Sequence, residues 1–309
     1  MRIPAMGLLL FSAAALAAGP PQVEISNGAL RARLYLPDAE TGYYRATRFD
    51  WSGVIASLDS QKHSYFGQWF DRYDPKLHDS ITGPVESFQA IGYETAPEGG
   101  RFLRIGVGWL AKPKEARVND FRTYEILDSG KWSVRSGPDW VEFTQELPGT
   151  YIYRKTVRLV KNQMVLDHSL KNTGAAALDT QVFNHDFYML DAQPTGPDLV
   201  VRFPFEPQPE SAWHGPQGEL RGNEIVYREE LPKGATVSGW LKGFSDKVAD
   251  YDFTVENRKT GARVRQVGDR PIARLNFWSI RTTVCPEAYV RVHAEPGKED
   301  RWRITYTFE

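Results

Sequence analysis

The feature that most constrains this chain is a period-two alternation of apolar and polar residues. It is clearest at the C-terminus, where Trp302, Ile304, Tyr306 and Phe308 alternate with Arg301, Arg303, Thr305 and Thr307. Successive side chains of a β-strand point to opposite faces, so this pattern predicts a strand with one buried face and one solvated face. A similar alternation runs through residues 30–36 near the start of the chain.

Two hairpins are predicted where such segments are joined by short polar turns. The first joins residues 151–159 to residues 164–171, and the second joins residues 251–256 to residues 262–267. Only residues 65–73 are expected to form a turn or two of helix, because no longer stretch after the N-terminal segment keeps a 3.6-residue period free of Gly and Pro. The sequence therefore predicts a mainly β fold of antiparallel strands.

Composition and charge narrow the class of protein further. Aromatic residues make up 13% of the 309 residues, which favours strands and stacking surfaces. No composition break or internal repeat divides the chain, so residues 20–309 are interpreted as one large domain of packed antiparallel sheets. The 38 basic and 39 acidic residues leave a net charge of −1 without a dense basic block, so nucleic acid is not an expected partner.

Residues 1–19 are typical of a secretory signal peptide. Arg2 precedes an apolar run over residues 6–16, and small residues follow where a signal peptidase would cleave. The apolar run is shorter than the ~20 residues that span a bilayer, so cleavage is favoured over a membrane anchor. We expect a periplasmic or secreted protein with no membrane contact after cleavage. The single Cys285 excludes an intrachain disulfide and any cysteine-framed zinc site.

A group of polar and aromatic residues closes the strand-like run over residues 178–183. Asn184, His185 and Asp186 stand together there and are followed by Phe187. An imidazole titrates near neutrality, so His185 could give or take a proton at working pH. The alternative is a core or turn histidine that is bonded to its neighbours.

A carboxylate follows a second apolar strand, which begins near Ile272. Pro286 would end regular pairing just before Glu287, so Glu287 is expected at a strand end. Partial burial would raise the pKa of Glu287 and make it a better base near neutrality, whereas the alternative is a solvated turn residue. Cys285 is interpreted as a buried apolar filler rather than a nucleophile.

Several other residues are candidates for binding a ligand. Trp278 could stack on a sugar, although core packing is the commoner role of tryptophan. Arg48 could clamp a hydroxyl or carboxylate, or it could form a structural pair with an aspartate. His78, Asp79 and Glu86 are expected in a loop that could supply an imidazole to a cleft or oxygen ligands to a metal. Neither spacing matches a metal motif, so no metal ion or other cofactor is expected.

Four segments together carry a resemblance to a known family. Residues 184–190, Asn-His-Asp-Phe-Tyr-Met-Leu, resemble the Asn-His-x-x-Phe/Tyr-x-Leu segment of the aldose 1-epimerases, or galactose mutarotases. Residues 285–287, 295–299 and 306–308 are similar, in the same order, to the family's Cys-x-Glu, Pro-Gly-Glu and terminal Tyr-x-Phe segments. The resemblance covers residues 184–309 and implies a single large antiparallel β-supersandwich.

The resemblance also implies an activity, a carbohydrate ligand and roles for individual residues. Glu287 would act as general base on the anomeric hydroxyl and His185 as general acid toward the ring oxygen, so that ring opening interconverts the sugar anomers without a cofactor. The expected sugar contacts are His78, Arg48, Asn184, Asp186 and Trp278. His78 lacks the Gly-rich context usual in the family. The alternatives are a non-catalytic carbohydrate-binding protein and a lyase or glycosidase relative on the same fold.

Overall fold

The computed structural model describes residues 19–309, which form an almost entirely β architecture. The predicted signal peptide, residues 1–19, lies outside the described residues except for Gly19. Within residues 19–309, no helix has the length and apolar character needed to cross a membrane.

The described part of the chain contains twenty-three strands and two single-turn 3₁₀ helices. In chain order the strands are β1 (Gln22–Ser26), β2 (Leu30–Tyr35), β3 (Val54–Ser60), β4 (Ser64–Phe66), β5 (Val85–Phe88), β6 (Arg101–Arg104), β7 (Gly108–Ala111), β8 (Ile126–Asp128), β9 (Lys131–Ser136), β10 (Trp140–Leu147), β11 (Tyr151–Val160), β12 (Gln163–Asn172), β13 (Leu178–His185), β14 (Leu199–Arg202), β15 (Gln208–Pro209), β16 (Gly218–Arg221), β17 (Glu224–Tyr227), β18 (Thr236–Lys242), β19 (Asp252–Asn257), β20 (Arg263–Gly268), β21 (Arg274–Ile280), β22 (Thr283–Ala294) and β23 (Glu299–Phe308). The 3₁₀ helices are Leu190–Ala192 and Val248–Asp250.

These strands form two large sheets and two small ones. The largest sheet has ten strands in the order β16-β17-β14-β19-β20-β23-β12-β11-β10-β9, and the second has six in the order β15-β18-β21-β22-β13-β5. The small sheets are β1-β2-β3-β4 and β6-β7-β8. The paired strands of the two large sheets run antiparallel. The mainly β, antiparallel prediction is therefore confirmed.

The ten-stranded and six-stranded sheets share one hydrophobic core. Tyr153 and Leu166 of the larger sheet belong to the same buried cluster as Leu275 and Val290 of the smaller one. Such a packing of two sheets through their inner faces is the arrangement of a β-sandwich. A second buried aromatic cluster lies beside this core, and it includes Phe187 at the end of β13.

The alternation read from the sequence corresponds to the observed strands. In β23 the side chains of Trp302, Ile304, Tyr306 and Phe308 are all buried. The two predicted hairpins are β11-β12 and β19-β20. The prediction of a helical turn over residues 65–73 is wrong. Tyr65 belongs to strand β4, and the indole of Trp69 donates to the carbonyl of Ile81 at 2.8 Å, so this segment is tied to neighbouring chain and not to its own turns.

The sheet opens between the strands that carry the candidate catalytic residues. β13 and β22 pair as far as Val182 opposite Val290 and meet again only at a bridge between Tyr188 and Val284. The prediction that Pro286 ends a strand is wrong, because Pro286 lies inside β22 and is paired with β21. A proline can occupy this position because the ladder with β13 is already interrupted, so one edge of β22 needs no N–H donor there. Glu287 therefore lies in mid-strand beside a gap in the sheet.

Candidate active site

A cleft of about 220 Å³ occupies the gap between β13 and β22. Its walls combine titratable or polar side chains with aromatic rings. The polar lining residues are Arg48, Asp79, Ser87, Asp120, His185, Asn276 and Glu287, and the aromatic ones are Trp69, Phe121, Phe183, Phe187, Trp278 and Tyr289.

The cleft brings together the histidine and the glutamate that the sequence singles out. Nε2 of His185, the last residue of β13, lies 3.2 Å from Oε1 of Glu287 in β22. The other carboxylate oxygen of Glu287 accepts a hydrogen bond from Nδ2 of Asn276 at 2.9 Å. The His185 and Glu287 side chains are only 4% and 5% exposed, so the pair lies in a largely dry pocket.

Burial holds the imidazole of His185 in its neutral form. Its ring stacks on Phe187 with centroids 3.9 Å apart and an interplanar angle of 10°, and Trp278 meets it edge-on at 5.5 Å. Burial lowers the pKa of His185 well below its usual range, and the positive charge of Arg48 lowers it further. Nδ1 of His185 is buried without a hydrogen-bond partner among the described residues.

Burial acts on Glu287 in the opposite direction. It raises the pKa of Glu287 to about 7, although the hydrogen bond from Asn276 and the charge of Arg48 oppose the shift. A carboxyl group with such a pKa exchanges protons at neutral pH. The lowered pKa of His185 and the raised pKa of Glu287 together favour a neutral imidazole beside a protonated carboxyl group.

The backbone after β13 aims Phe187 at the imidazole. Phe187 has φ of 48°, a left-handed conformation that a non-glycine residue adopts only when its surroundings enforce it. Its N–H donates to Sγ of the buried Cys285 at 3.2 Å, and its ring stacks on Trp69 with centroids 4.7 Å apart. The result is a stack of three rings, His185, Phe187 and Trp69, along one side of the cleft.

A glycine makes a close backbone approach possible behind this histidine. A Cβ at Gly83 would lie 2.4 Å from the carbonyl oxygen of Asp186 and 2.5 Å from that of His185. Such distances are too short for non-bonded atoms, so a larger residue at position 83 would displace the end of β13. Gly83 therefore contributes to the position of the catalytic candidate without touching the cleft.

Comparisons with known proteins place this geometry in a known fold. No family model matches the chain, and no curated protein sequence matches it. Among solved structures, the Slr1438 protein of Synechocystis aligns over 97% of this chain and 99% of its own, with 12% identity and a TM-score of 0.58. A galactose mutarotase related enzyme from Lactobacillus acidophilus aligns over 93% and 97%, with 14% identity and a TM-score of 0.54. The GalM/aldose epimerase homologue of C. elegans aligns over 93% and 98%, with 15% identity and a TM-score of 0.56.

The chain has the galactose mutarotase-like fold. This confirms the β-supersandwich that the sequence resemblance implies. At identities of 12–15%, the likeness establishes the fold, and the chemistry has to be argued from the residues of the cleft.

Two of the predicted sugar contacts, Arg48 and Trp278, line the cleft of this galactose mutarotase-like fold. Three others do not. Asn184 and Asp186 flank His185 but are buried behind the wall, where Asn184 donates to Glu86 at 3.3 Å and Asp186 accepts from the hydroxyl of Tyr306 at 2.8 Å. Neighbouring residues of an extended chain face opposite sides, so the orientation of His185 toward the cleft turns both of them away from it.

His78, the third of these residues, lies behind Asp79, which lines the cleft. Its Nδ1 lies 3.2 Å from a carboxylate oxygen of Asp79, and its ring packs edge-on against Phe121 at 5.1 Å. Burial lowers the pKa of His78, and the charge of Arg48 adds to that effect, while Asp79 opposes it. His78 therefore lies beside Asp79 and outside the set of side chains that line the cleft.

Sequence reasoning missed Asn276, which holds the carboxylate of Glu287. The available signal was the alternation of β21, since residues two apart share a face and Asn276 is two residues before Trp278. It also missed Phe121, a 64% exposed ring at the cleft whose loop has no regular pattern.

The expectation that Glu86 lies in a loop is wrong. Glu86 lies in β5, is fully buried, and forms an ion pair with Lys155 of β11. Nε2 of His168 in β12 lies 2.7 Å from its other carboxylate oxygen. Burial raises the pKa of Glu86, but attraction to Lys155 and the bond to His168 outweigh it and hold the pKa at about 2. This inner cluster joins the six-stranded sheet to the ten-stranded sheet.

The described residues hold no metal-binding constellation. Among residues 19–309, no group of three or more His, Cys, Asp and Glu side chains is arranged to hold a metal ion.

Proposed function

We propose that the protein is an exported isomerase of the aldose 1-epimerase type, which interconverts the anomers of a sugar by opening and reclosing its ring. The observation that carries the proposal is the contact between His185 and Glu287, 3.2 Å apart in a cleft and with a carboxyl pKa of about 7. The galactose mutarotase-like fold supports it, because the similar structures include a galactose mutarotase related enzyme and an aldose epimerase homologue. Export rests on the N-terminal sequence alone.

The direct contact of the two side chains suits this chemistry. The anomeric hydroxyl and the ring oxygen of a pyranose are bonded to the same carbon, so one edge of the sugar presents both oxygens to the pair. One side chain takes the hydroxyl proton while the other gives a proton to the ring oxygen. The bond between the anomeric carbon and the ring oxygen breaks, and a carbonyl forms. Rotation about the adjacent carbon–carbon bond and the reverse proton transfers then yield the other anomer, with the proton count of the pair restored.

The opposite shifts of the two pKa values favour a resting proton on Glu287. Because His185 is neutral and Glu287 is protonated below about pH 7, we assign ring-oxygen protonation to Glu287 and proton removal from the hydroxyl to His185 during opening. This reverses the roles implied by the family resemblance. Reclosure exchanges the two roles. Both assignments need one proton on the pair, so they share one pH dependence.

The remaining lining supplies orientation. Trp278 stands edge-on to His185 and Phe187, so its indole forms a wall beside the reacting edge on which the apolar face of a sugar can rest. Arg48 and Asn276 offer N–H donors to hydroxyl groups. These residues together supply every chemical group that the scheme requires.

The test is anomer exchange followed by NMR on a panel of free aldoses. We expect Glu287→Gln and His185→Gln each to lower the exchange rate by about 10²- to 10⁴-fold, the usual contribution of one acid–base group. Glu219→Gln is the matched control, because Glu219 of β16 pairs with Arg221 and Arg228 and does not line the cleft. If the wild type binds sugars but exchanges anomers no faster than free solution, the epimerase proposal fails and a carbohydrate-binding role replaces it.

A further inference from the structure

Arg48 is the single cationic side chain among the described residues that line the cleft. Its guanidinium is held on several sides. An N–H of Arg48 forms an ion pair with Oδ1 of Asp79, and its Cζ lies 4.8 Å from the ring centroid of Phe49 and 5.0 Å from that of Phe121. The side chain of Arg48 is 13% exposed and that of Asp79 is 30% exposed, so the ion pair is accessible from the cleft.

Asp79 lies between Arg48 and His78. Its Oδ2 lies 3.2 Å from Nδ1 of His78, and the backbone carbonyl of His78 accepts a hydrogen bond from Tyr44 at 2.9 Å. Oδ1 of Asp79 is therefore engaged with Arg48, whereas its Oδ2 has a close contact with His78 but no hydrogen bond from Nδ1 of that residue. Burial lowers the pKa of Arg48, but the carboxylates of Asp79 and Glu287 outweigh it and leave that pKa raised, so the guanidinium stays charged.

The other charges at the cleft do not favour an anion. Asp120 also lines it and is paired with the buried Arg104 at 2.7 Å, which points away toward the backbone of Thr47. Because Asp79 pairs with Arg48 and Asp120 pairs with Arg104, the described lining residues carry no uncompensated positive charge, and Glu287 adds a negative charge when it is ionised. A phosphate or carboxylate in the cleft would therefore find no free counter-ion among them, and an unpaired charge in a desolvated pocket is costly.

We propose that Asp79 is a specificity-determining residue: by holding Arg48 in an ion pair, it makes the cleft accept uncharged sugars and exclude sugar phosphates and uronates. Arg48 then serves a neutral ligand as a hydrogen-bond donor and not as an anion receptor. The proposal rests on the proposed function for the kind of ligand, since it assumes that the cleft takes a sugar. The effect of Asp79 on the preference between neutral and anionic ligands can be measured by binding alone, without turnover.

The experiment compares ligand binding by the wild type and by Asp79→Asn. Asparagine keeps the shape of the side chain and removes its charge, which leaves Arg48 without a counter-ion. Trp69 and Trp278 line the cleft and report binding by fluorescence. The ligands are glucose, glucose 6-phosphate, glucuronate and inorganic phosphate, all at low ionic strength so that screening does not hide the effect.

We expect the wild type to bind glucose at least about tenfold more tightly than glucose 6-phosphate or glucuronate, and to show no saturable response to inorganic phosphate. In Asp79→Asn, the preference for glucose should shrink by about tenfold or more, and inorganic phosphate should bind. Asp71→Asn is the matched control, because Asp71 forms a fully solvated pair with Lys233 at 2.9 Å. The double variant Arg48→Met, Asp79→Asn should lose the acquired phosphate binding.

The outcomes separate this proposal from the proposed function. A wild type that prefers the anionic sugars, or an Asp79→Asn protein with an unchanged preference and no phosphate binding, overturns the role of Asp79. A wild type that binds no sugar while Asp79→Asn binds phosphate rejects the epimerase and retains the charge-neutralising role of Asp79. If Asp79→Asn does not fold, Asp79→Ser removes the same charge with a smaller side chain and is measured in its place.

Discussion

The cleft pair, His185 with Glu287, and the inner pair, His168 with Glu86, are built from the same parts. The imidazole nitrogen lies 3.2 Å from the carboxylate oxygen in the first pair and 2.7 Å in the second. Each imidazole stacks on an aromatic ring, on Phe187 at 3.9 Å in the cleft and on Trp302 at 4.7 Å in the interior. In both histidines, Nδ1 is buried without a partner among the described residues.

The pKa values of the two carboxyl groups are nevertheless shifted in opposite directions. Lys155 contacts Glu86 directly, and the pKa of Glu86 is about 2 in spite of burial. Glu287 has no such cation in contact, because Arg48 is engaged by Asp79, and burial raises its pKa to about 7. A buried His–Glu pair is therefore a structural ion cluster when a cation completes it and a proton-exchanging pair when none does. In this chain His185 and Glu287 line the cleft, whereas the side chains of His168 and Glu86 are fully buried.

The largest effect should come from breaking the inner cluster. Lys155→Met leaves the fully buried Glu86 without its counter-charge, and removing one partner of a buried ion pair destabilises a protein by roughly 3–5 kcal/mol. Urea denaturation should show this loss. Lys171→Met, on the exposed face of the neighbouring strand β12, is the control and should change stability little. An unchanged free energy of unfolding for Lys155→Met would mean that water or a proton replaces the lysine.

The second prediction compares the same substitution, glutamate to glutamine, at Glu287 and at Glu86. The native pKa of Glu287 lies above its unfolded value of 4.5, so its stabilising effect is present below pH 4.5 and is lost as the pH rises through about 7. At pH 8 the ionised carboxylate costs at most about 3 kcal/mol, which glutamine would avoid. Glu287→Gln should therefore be more stable than the wild type at pH 8, and the difference should shrink at pH 5.

Glu86→Gln should behave in the opposite way. The pKa of Glu86 is lowered in the native state, so its stabilising effect is present above pH 4.5 and is lost as the pH falls toward 2. This variant should be less stable than the wild type at pH 7. Thermal unfolding of the two variants at several pH values tests both signs, and equal signs at pH 8 would contradict the comparison of the two pairs.

The sequence could predict what depends on local periodicity, and it could not predict which distant side chains converge. The strand β23 and the two hairpins follow from period-two patterns that any strand must satisfy. The same rule, applied to residues 184–186, would have turned Asn184 and Asp186 away from the cleft once His185 faced it. The inner cluster had no local signal, because Lys155 and His168 follow Glu86 by 69 and 82 residues and meet it only when the two sheets pack.

A smaller effect is expected in the pH dependence of anomer exchange. The pair needs one proton, and Glu287 loses it above about pH 7, so the rate should fall about tenfold per pH unit in the alkaline limb. The acid limb should lie well below pH 6.5, because burial lowers the pKa of His185. Rates measured from pH 4 to pH 9 test this, and a plateau that persists to pH 9 would show that the exchanging proton is not the one on Glu287.

The smallest expected effect concerns the aromatic rings that stack on the two histidines. Phe187→Leu keeps an apolar side chain but removes the ring that lies flat on His185, and aromatic pairs of this kind contribute about 0.5–1.5 kcal/mol. We expect kcat for anomer exchange to fall by about two- to twelvefold, the same energies expressed as a rate. The acid limb of the pH profile should also move, because the environment of His185 changes.

Trp302→Phe is the counterpart in the interior and keeps a ring against His168, so it should alter stability and leave both limbs in place. If both variants moved the acid limb equally, the change would report a general loosening of the sandwich, and the left-handed backbone of Phe187 would serve packing and not the position of the imidazole.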